Sequence, residues 1–235
     1  MYSHISYSDV WPMFFGQVDK YFPNNISRYV FSNEKSDCIP ENWQLIQYED
    51  SLSYNKRVAS CLKNIKEEYA IFHHEDMPLY AEPDLNFISS KINLMKEDSI
   101  DYIKLIKGGN LNFSEKKYKG EKCLYHLPKN GDSYFSVQPC LVKLKSLLKL
   151  YENCNINKVH EFEPKAHILS RIMGHKNLYY YNNEPKRGLG HWDSSVYPYV
   201  ATAIVKGKWN YSEYSKELTE LHETYSVDKS IRGEF

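Results

Sequence analysis

The chain carries no excess of charge: 30 lysines and arginines stand against 30 aspartates and glutamates. Without a net field there is no whole-molecule attraction to nucleic acid or to an anionic membrane, so no nucleic-acid partner is expected, although local patches are unaffected. No stretch approaches the roughly 20 apolar residues that span a bilayer, and the first residues lack a basic segment followed by an apolar run, so no transmembrane segment or leader is expected. Cysteine is sparse and unpatterned. Cys38, Cys61, Cys123, Cys140 and Cys154 are odd in number and show no CxxC or Cys/His spacing; this excludes full pairing and a zinc knuckle and predicts reduced thiols in a cytoplasmic protein. Internal repeats and low-complexity tracts are also missing.

What is present is length and tyrosine. A chain of 235 residues is long enough for one sizeable α/β domain with a real core. Its 21 tyrosines offer apolar area with a polar tip, suited to stacking on sugars or bases and equally to packing a core.

Hydrophobic periodicity sets out the elements. Ser3 to Ser8 reads as a first strand, after which Ser8 and Asp9 would cap a helix with Trp11, Phe14, Phe15, Val18 and Tyr21 on one face. Tyr29 to Phe31 and Trp43 to Tyr48 are strand candidates, Leu52 to Glu68 a helix, and Tyr69 to Phe72 a strand buried within a parallel sheet. A helix from Pro83 to Leu94, a strand from Ser99 to Lys107 and a turn at Gly108, Gly109 and Asn110 follow. Asn110 to Asp132, anchored by Leu111, Phe113, Cys123, Leu124 and Leu127, reads as an irregular excursion or hairpin. Ser133 to Pro139 is expected as a strand, and Leu141 to Tyr151 and Tyr211 to Tyr225 as amphipathic helices. Strands alternating with helices imply a mostly parallel sheet.

Three segments carry the chemistry. His73, His74, Glu75 and Asp76 follow the Tyr69 strand, and Pro78 stops its ladder. In open α/β sheets the ligand crevice lies beyond the carboxyl ends of strands, and carboxylates there suit a hard divalent cation that also holds phosphates; a solvated acidic turn is the plain alternative. The second segment is His160, Glu161, Phe162 and Glu163. If it is extended, both glutamates lie on one face; if it begins a helix, one of them is a dipole-stabilised first-turn charge. The third, Gly188 to Ser194, is a polar loop containing His191, Trp192 and Asp193, preceded by Lys186 and Arg187.

The order of these segments resembles that of GT-A nucleotide-sugar-dependent glycosyltransferases, particularly bacterial capsule-type and large-virus enzymes. The strand "YAIFHHEDM" resembles one ending in a DxD-type acidic motif; Phe135, Ser136, Val137, Gln138 and Pro139 resemble the family's "fs.QP" segment; and His160 to Glu163 resembles its "WEFE"-like motif. The resemblance runs from about Ser6 to Glu163. It implies an α/β, GT-A (Rossmann-like) fold with a mixed, mostly parallel sheet flanked by helices. One domain would fill residues 1–235, with a nucleotide-sugar half at 1–107 and an acceptor half at 108–235.

It further implies a hexosyl- or pentosyltransferase moving a sugar from a nucleotide donor, UDP-linked, to a glycan acceptor with inversion. Asp76, aided by Glu75 and His74, would bind Mn²⁺ or Mg²⁺ against the donor diphosphate, with His191 as a late ligand and Asp193 as its rival. Glu161 or Glu163 would be the general base. Ser6, Tyr7 and Asp9 would cradle the nucleotide, Tyr7 stacking on the base or merely packing. Arg57, Lys186 and Arg187 would meet the diphosphate, unless Arg57 only pairs with Glu49 or Asp50. One position departs from the pattern: His74 stands where the DxD motif has its first aspartate, which leaves a catalytically silent GT-A-like domain binding a glycan or protein as the rival.

Overall fold

Alternation along the central strands decides which face each side chain covers. In the computed structural model, which describes residues 1–109, 116–129, 133–156, 159–188 and 190–235, Ile103, Leu141 and Leu178 pack on one face of the sheet, among Met13, Ile88 and Met95. Their neighbours Tyr102, Val142 and Tyr179 pack on the other, among Val58, Leu147 and Phe162. The expected residues Asn110, Leu111, Phe113 and Asp132, and Leu189 of the late loop, lie outside the described residues.

The elements are α1 (Trp11–Tyr21), β1 (Tyr29–Ser32), β2 (Gln44–Gln47), α2 (Tyr54–Leu62), β3 (Tyr69–Phe72), α3 (Leu85–Asp98), β4 (Tyr102–Lys104), β5 (Leu124–His126), β6 (Cys140–Lys143), α4 (Leu144–Asn153), α5 (Phe162–Ile172), β7 (Asn177–Tyr180), β8 (Ile204–Val205), β9 (Lys208–Trp209) and α6 (Ser215–Thr224). Strands β3, β6, β4, β7 and β5 pair in that order, while β1 and β2 form a separate parallel pair. Tyr2 joins the two sheets, bridging in parallel to Phe31 and to His74. Followed through these ladders, β1, β2, β3, β4 and β7 run one way, and β6 and β5 run against them. This is a mixed α/β sheet, mostly parallel in strand direction and flanked by helices.

Several expectations shift. Beyond Tyr2, the predicted first strand is a 3-10 turn at Ile5–Tyr7 capped by the His4 side chain. Val10 rather than Ser8 or Asp9 occupies the start of α1, with no side-chain cap. α2 ends at Leu62 rather than reaching Glu68. The strand expected at Ser133 to Pro139 instead begins at Cys140, since Pro139 has no N–H to give a ladder. Residues 141–143 belong to that strand, so α4 starts only at Leu144.

β3, expected as an interior strand of a parallel sheet, instead lies at the end of the five-stranded order; three of its four residues are only partly buried, and its neighbour β6 is antiparallel. Elements α5 and β7 have no counterpart among the expected elements. On α5 the buried face is Phe162, Ala166, His167 and Ser170, whereas Ile168 and Ile172 are 52% and 76% exposed, so its visible apolar residues point the wrong way.

Phe162 anchors this layer: it is 1% exposed, and its ring stacks on Tyr151 at 4.3 Å between centroids. Removing a buried aromatic ring strips apolar area and leaves a cavity. Phe162→Ala is expected to lower stability by about 3–5 kcal/mol, and Ile172→Ala by less than about 0.5 kcal/mol, read from urea unfolding midpoints. Equal effects would contradict the observed facing of α5.

Candidate active site

Four of the expected residues gather at the carboxyl end of β3. Glu75 is buried at 7% exposure, and Asp76 beside it is half-buried. The turn from Ser6 to Asp9 approaches them: the charges of Glu75 and Asp76 both act on the Tyr7 hydroxyl and raise its pKa, after burial as the main cause. Backbone ties hold the acidic turn from the other side. The Ala203 amide donates to the Asp76 carbonyl at 2.9 Å, and the Val200 amide to the Pro78 carbonyl at 2.9 Å.

The sequence reading missed the cation of this cluster. Arg232, near the other end of the chain, donates from Nε and Nη2 to the two Asp9 carboxylate oxygens at 2.6 and 2.5 Å. Nη2 also donates to the Ser6 carbonyl at 3.0 Å, and the guanidinium lies 4.4 Å from the Tyr7 ring centroid. Asp9 is thereby drawn off its expected capping role. No local pattern could reveal a partner 223 residues away.

Burial pushes the Glu75 carboxyl up to about 8, with the neighbouring Asp76 charge adding to the rise and Arg232 opposing it. Burial likewise raises Asp76 to about 6, again against Arg232. Glu75 Oε2 is buried with no hydrogen-bond partner. A pair of adjacent carboxyls with an orphaned oxygen is a donor set that fits a hard cation held by one or two carboxylates plus phosphates.

His74 fits less well. Its Nε2 is 2.9 Å from the Tyr54 hydroxyl, Tyr2 and Phe72 rings flank it, and burial lowers its pKa to about 4. Among the described residues no three His, Cys, Asp or Glu side chains converge as a metal site. His191 is placed against Tyr214 and Glu213 rather than the acidic pair: it stacks on Tyr214 with planes 7° apart, and its Nε2 is 3.2 Å from Glu213 Oε2.

The two glutamates part company. Helix geometry, not an extended strand, governs residues 161–163, so positions two apart do not share a face. Glu161 lies 3.1 Å from Lys165 Nζ. Glu163 accepts from the Val137 amide at 2.7 Å, which ties the loop before β6 to the first turn of α5, and its charge acts on Lys104 and on Tyr54. Lys104 is 2% exposed, donates to the Gly108 carbonyl at 3.0 Å, and is lowered by burial to about 8. Tyr54 therefore links the two ends of the site, bonded to His74 and within reach of the Glu163 field.

The expected diphosphate cations are engaged elsewhere. Arg57 donates from Nε to the Leu52 carbonyl at 2.8 Å and pairs with Asp50 at 3.3 Å. Arg187 binds Glu217 at 2.5 Å and lies 3.7 Å from Asp193. Lys186 is exposed, 5.5 Å from the Trp192 ring. Ser6 Oγ meets His4 Nδ1 at 2.8 Å. A cavity of about 240 Å³ lies among α1, β1, β3 and α3, with Phe14, Phe31, Ile71 and Ile88 in its wall. It is apolar and includes none of Glu75, Asp76, Glu163 or His191, so it is not the crevice in question.

The chain superposes on the crystal structure of S. aureus TarS 1-349 with a TM-score of 0.52 at 13% identity, over 98% of this chain and 66% of that one. The shared fold is GT-A-like. The bifunctional IspDF from Campylobacter jejuni is less alike, with a TM-score of 0.43 at 16% identity over 74% of this chain and 42% of that one. No protein-family model and no curated protein matches the chain.

Both carboxyls of the pair sit above their ordinary values of 4.5 and 3.8, so protonation favours the folded chain. That stability is full below about pH 4 and is lost as pH rises through about 6 and then about 8. Glu75→Gln holds that position neutral throughout. The fall in Tm between pH 5 and pH 8.5 should accordingly be smaller in this variant than in the parent; parallel curves would mean that Glu75 does not titrate in this range.

Proposed function

We propose that the chain is a glycosyltransferase that moves a sugar from a nucleotide-sugar donor, UDP-linked, to a glycan acceptor, with inversion. The observation that carries this reading is the acidic pair at the carboxyl end of β3, Glu75 buried and Asp76 half-buried, facing the Ser6–Asp9 turn on a GT-A-like scaffold. The GT-A-like fold shared with TarS supports the reading at the level of the scaffold. In this proposal residues 1–235 form one domain, with the donor half at 1–107 and the acceptor half at 108–235.

The Ser6–Asp9 turn receives the nucleotide, and Tyr7 offers the base the ring face not covered by Arg232. Asp76 and Glu75 would hold Mn²⁺ or Mg²⁺, which when bound neutralises charge developing on the leaving diphosphate. The neighbouring carboxyls then become anionic, since a bound cation opposes their protonation. Glu163 is the better base of the two glutamates: its side chain is exposed to an incoming acceptor and fixed through the Val137 amide, whereas Glu161 is occupied by Lys165. The proton leaves the acceptor hydroxyl for Glu163 as that oxygen attacks the anomeric carbon, so a single displacement inverts the centre.

His74 in the first DxD position, with its Nε2 on Tyr54, favours a second reading, a catalytically inactive glycan- or protein-binding domain. Thermal-shift titration with UDP-, GDP- and CMP-sugars, with and without Mn²⁺, separates the two. A ligand at 100 times its Kd adds about 2.7 kcal/mol, so the transferase should show a rise in Tm that needs the cation and is lost in Asp76→Ala; no shift with any donor favours the binding domain. Glu163→Gln should lower turnover about 10²- to 10⁴-fold with donor binding intact, and Glu161→Gln only a few-fold. The opposite ranking would move the base to Glu161.

A further inference from the structure

The terminal segment Asp228–Phe235 has no role in the function proposed above, yet it is built into the edge of the donor turn. The Trp209 amide donates to the Gly233 carbonyl at 3.0 Å, and the Phe235 amide to the Trp209 carbonyl at 2.9 Å, so β9 carries the segment as a short extra strand. β9 is paired to β8, and Ala203, just before β8, donates to Asp76. One small hairpin therefore fixes the positions of Arg232 and the acidic pair together.

Within that frame the guanidinium is oriented before any ligand arrives. Asp9 takes the Nε–Nη2 edge in a two-point contact, and the side chain is 9% exposed. The Nη1 edge has only a 3.5 Å contact with the Gly207 carbonyl, the outer limit of a hydrogen bond. A planar cation with one edge clamped and the other spare matches a phosphate oxygen in charge and geometry. Arg57 and Arg187, by contrast, have their donors taken by Asp50, Leu52, Glu213 and Glu217.

We propose that Arg232 is a diphosphate-binding residue of the donor site, oriented by Asp9 and presenting its Nη1 edge to the pyrophosphate of a nucleoside diphosphate. This rests on the donor-site reading above and adds a residue to it. It also separates two roles for the same side chain: a staple that merely ties the end of the chain to the Ser6–Asp9 turn would affect every ligand of that turn alike, whereas a phosphate ligand discriminates by the number of phosphates.

The test is calorimetric titration of the full chain, in Mn²⁺, with UDP, GDP and CDP and with the corresponding nucleosides, using wild type, Arg232→Gln and Arg232→Lys. For the diphosphate that wild type binds, Arg232→Gln is expected to weaken binding at least tenfold while changing nucleoside affinity less than twofold, and Arg232→Lys to give an intermediate loss confined to the diphosphate. Unchanged diphosphate binding in Arg232→Gln, or equal losses for diphosphate and nucleoside, overturns the proposal. Should circular dichroism find Arg232→Gln unfolded, Arg232→Lys decides by the same comparison. If wild type binds none of the three diphosphates, the glycosyltransferase reading falls and this inference with it; binding by wild type with an unaltered Arg232→Gln removes this inference alone.

Discussion

Two carboxyl groups side by side at a strand end, one of them shielded from water, cannot both be charged without a cation nearby. That constraint organises the site. Desolvation and mutual repulsion drive Glu75 and Asp76 toward the neutral form, and the Arg232 charge opposes both effects without cancelling them. The arrangement leaves an electrostatic demand for positive charge at the carboxyl edge of the sheet, where open α/β sheets receive ligands. Asp9, meanwhile, consumes one edge of the Arg232 fork, so the arginine cannot collapse onto the acidic pair and fill that demand itself.

Aromatic hydroxyls connect the end of β3 to the start of α5. Tyr54 bonds His74 and lies 3.1 Å from the Tyr151 hydroxyl, while Tyr151 stacks on Phe162, the residue between the two glutamates. The packing of α5 against α4 and α2 thus sets the position of Glu163 relative to β3. The placement of His74 becomes intelligible in this light: it is ringed by Tyr2, Tyr54 and Phe72, burial favours its neutral form, and it serves the aromatic layer between the end of β3 and the start of α5. The tyrosine-rich composition finds its use here, since a phenol can fill a core position and still carry a hydrogen bond.

Much of residues 1–107 was legible because its periodicity is clean. α1, β1, β2, β3 and α3 each have an apolar pattern that the fold obeys, and the acidic pair stands where Pro78 and the end of an apolar run place it. Elements α5, β7 and β5 were not legible. The inward face of α5 mixes the apolar Phe162 and Ala166 with the polar His167 and Ser170, while Ile168 and Ile172 face outward, so no apolar stripe marks it. β5 and β7 are three- and four-residue strands rich in tyrosine, too short for a period to register. Glu161 and Glu163 looked equivalent because an extended segment and a helix start cannot be told apart over four residues; the helix turns one toward Lys165 and the other toward the loop before β6.

Arg232 marks the deeper limit. Local pattern reports on faces of helices and strands, whereas a charge contact across the whole chain depends on tertiary closure by β8, β9 and the terminal turn. The same closure places Arg187, expected at the diphosphate, against carboxylates. Arg187 has carboxylate partners in Glu217, on the first turn of α6, and Asp193, and it donates to the Glu213 main-chain carbonyl; a charge already hydrogen-bonded in this way offers little to a phosphate. A cation is available to a ligand only when part of its donor geometry is left over, and in this fold it is the Nη1 edge of Arg232 that is left beside the acidic pair.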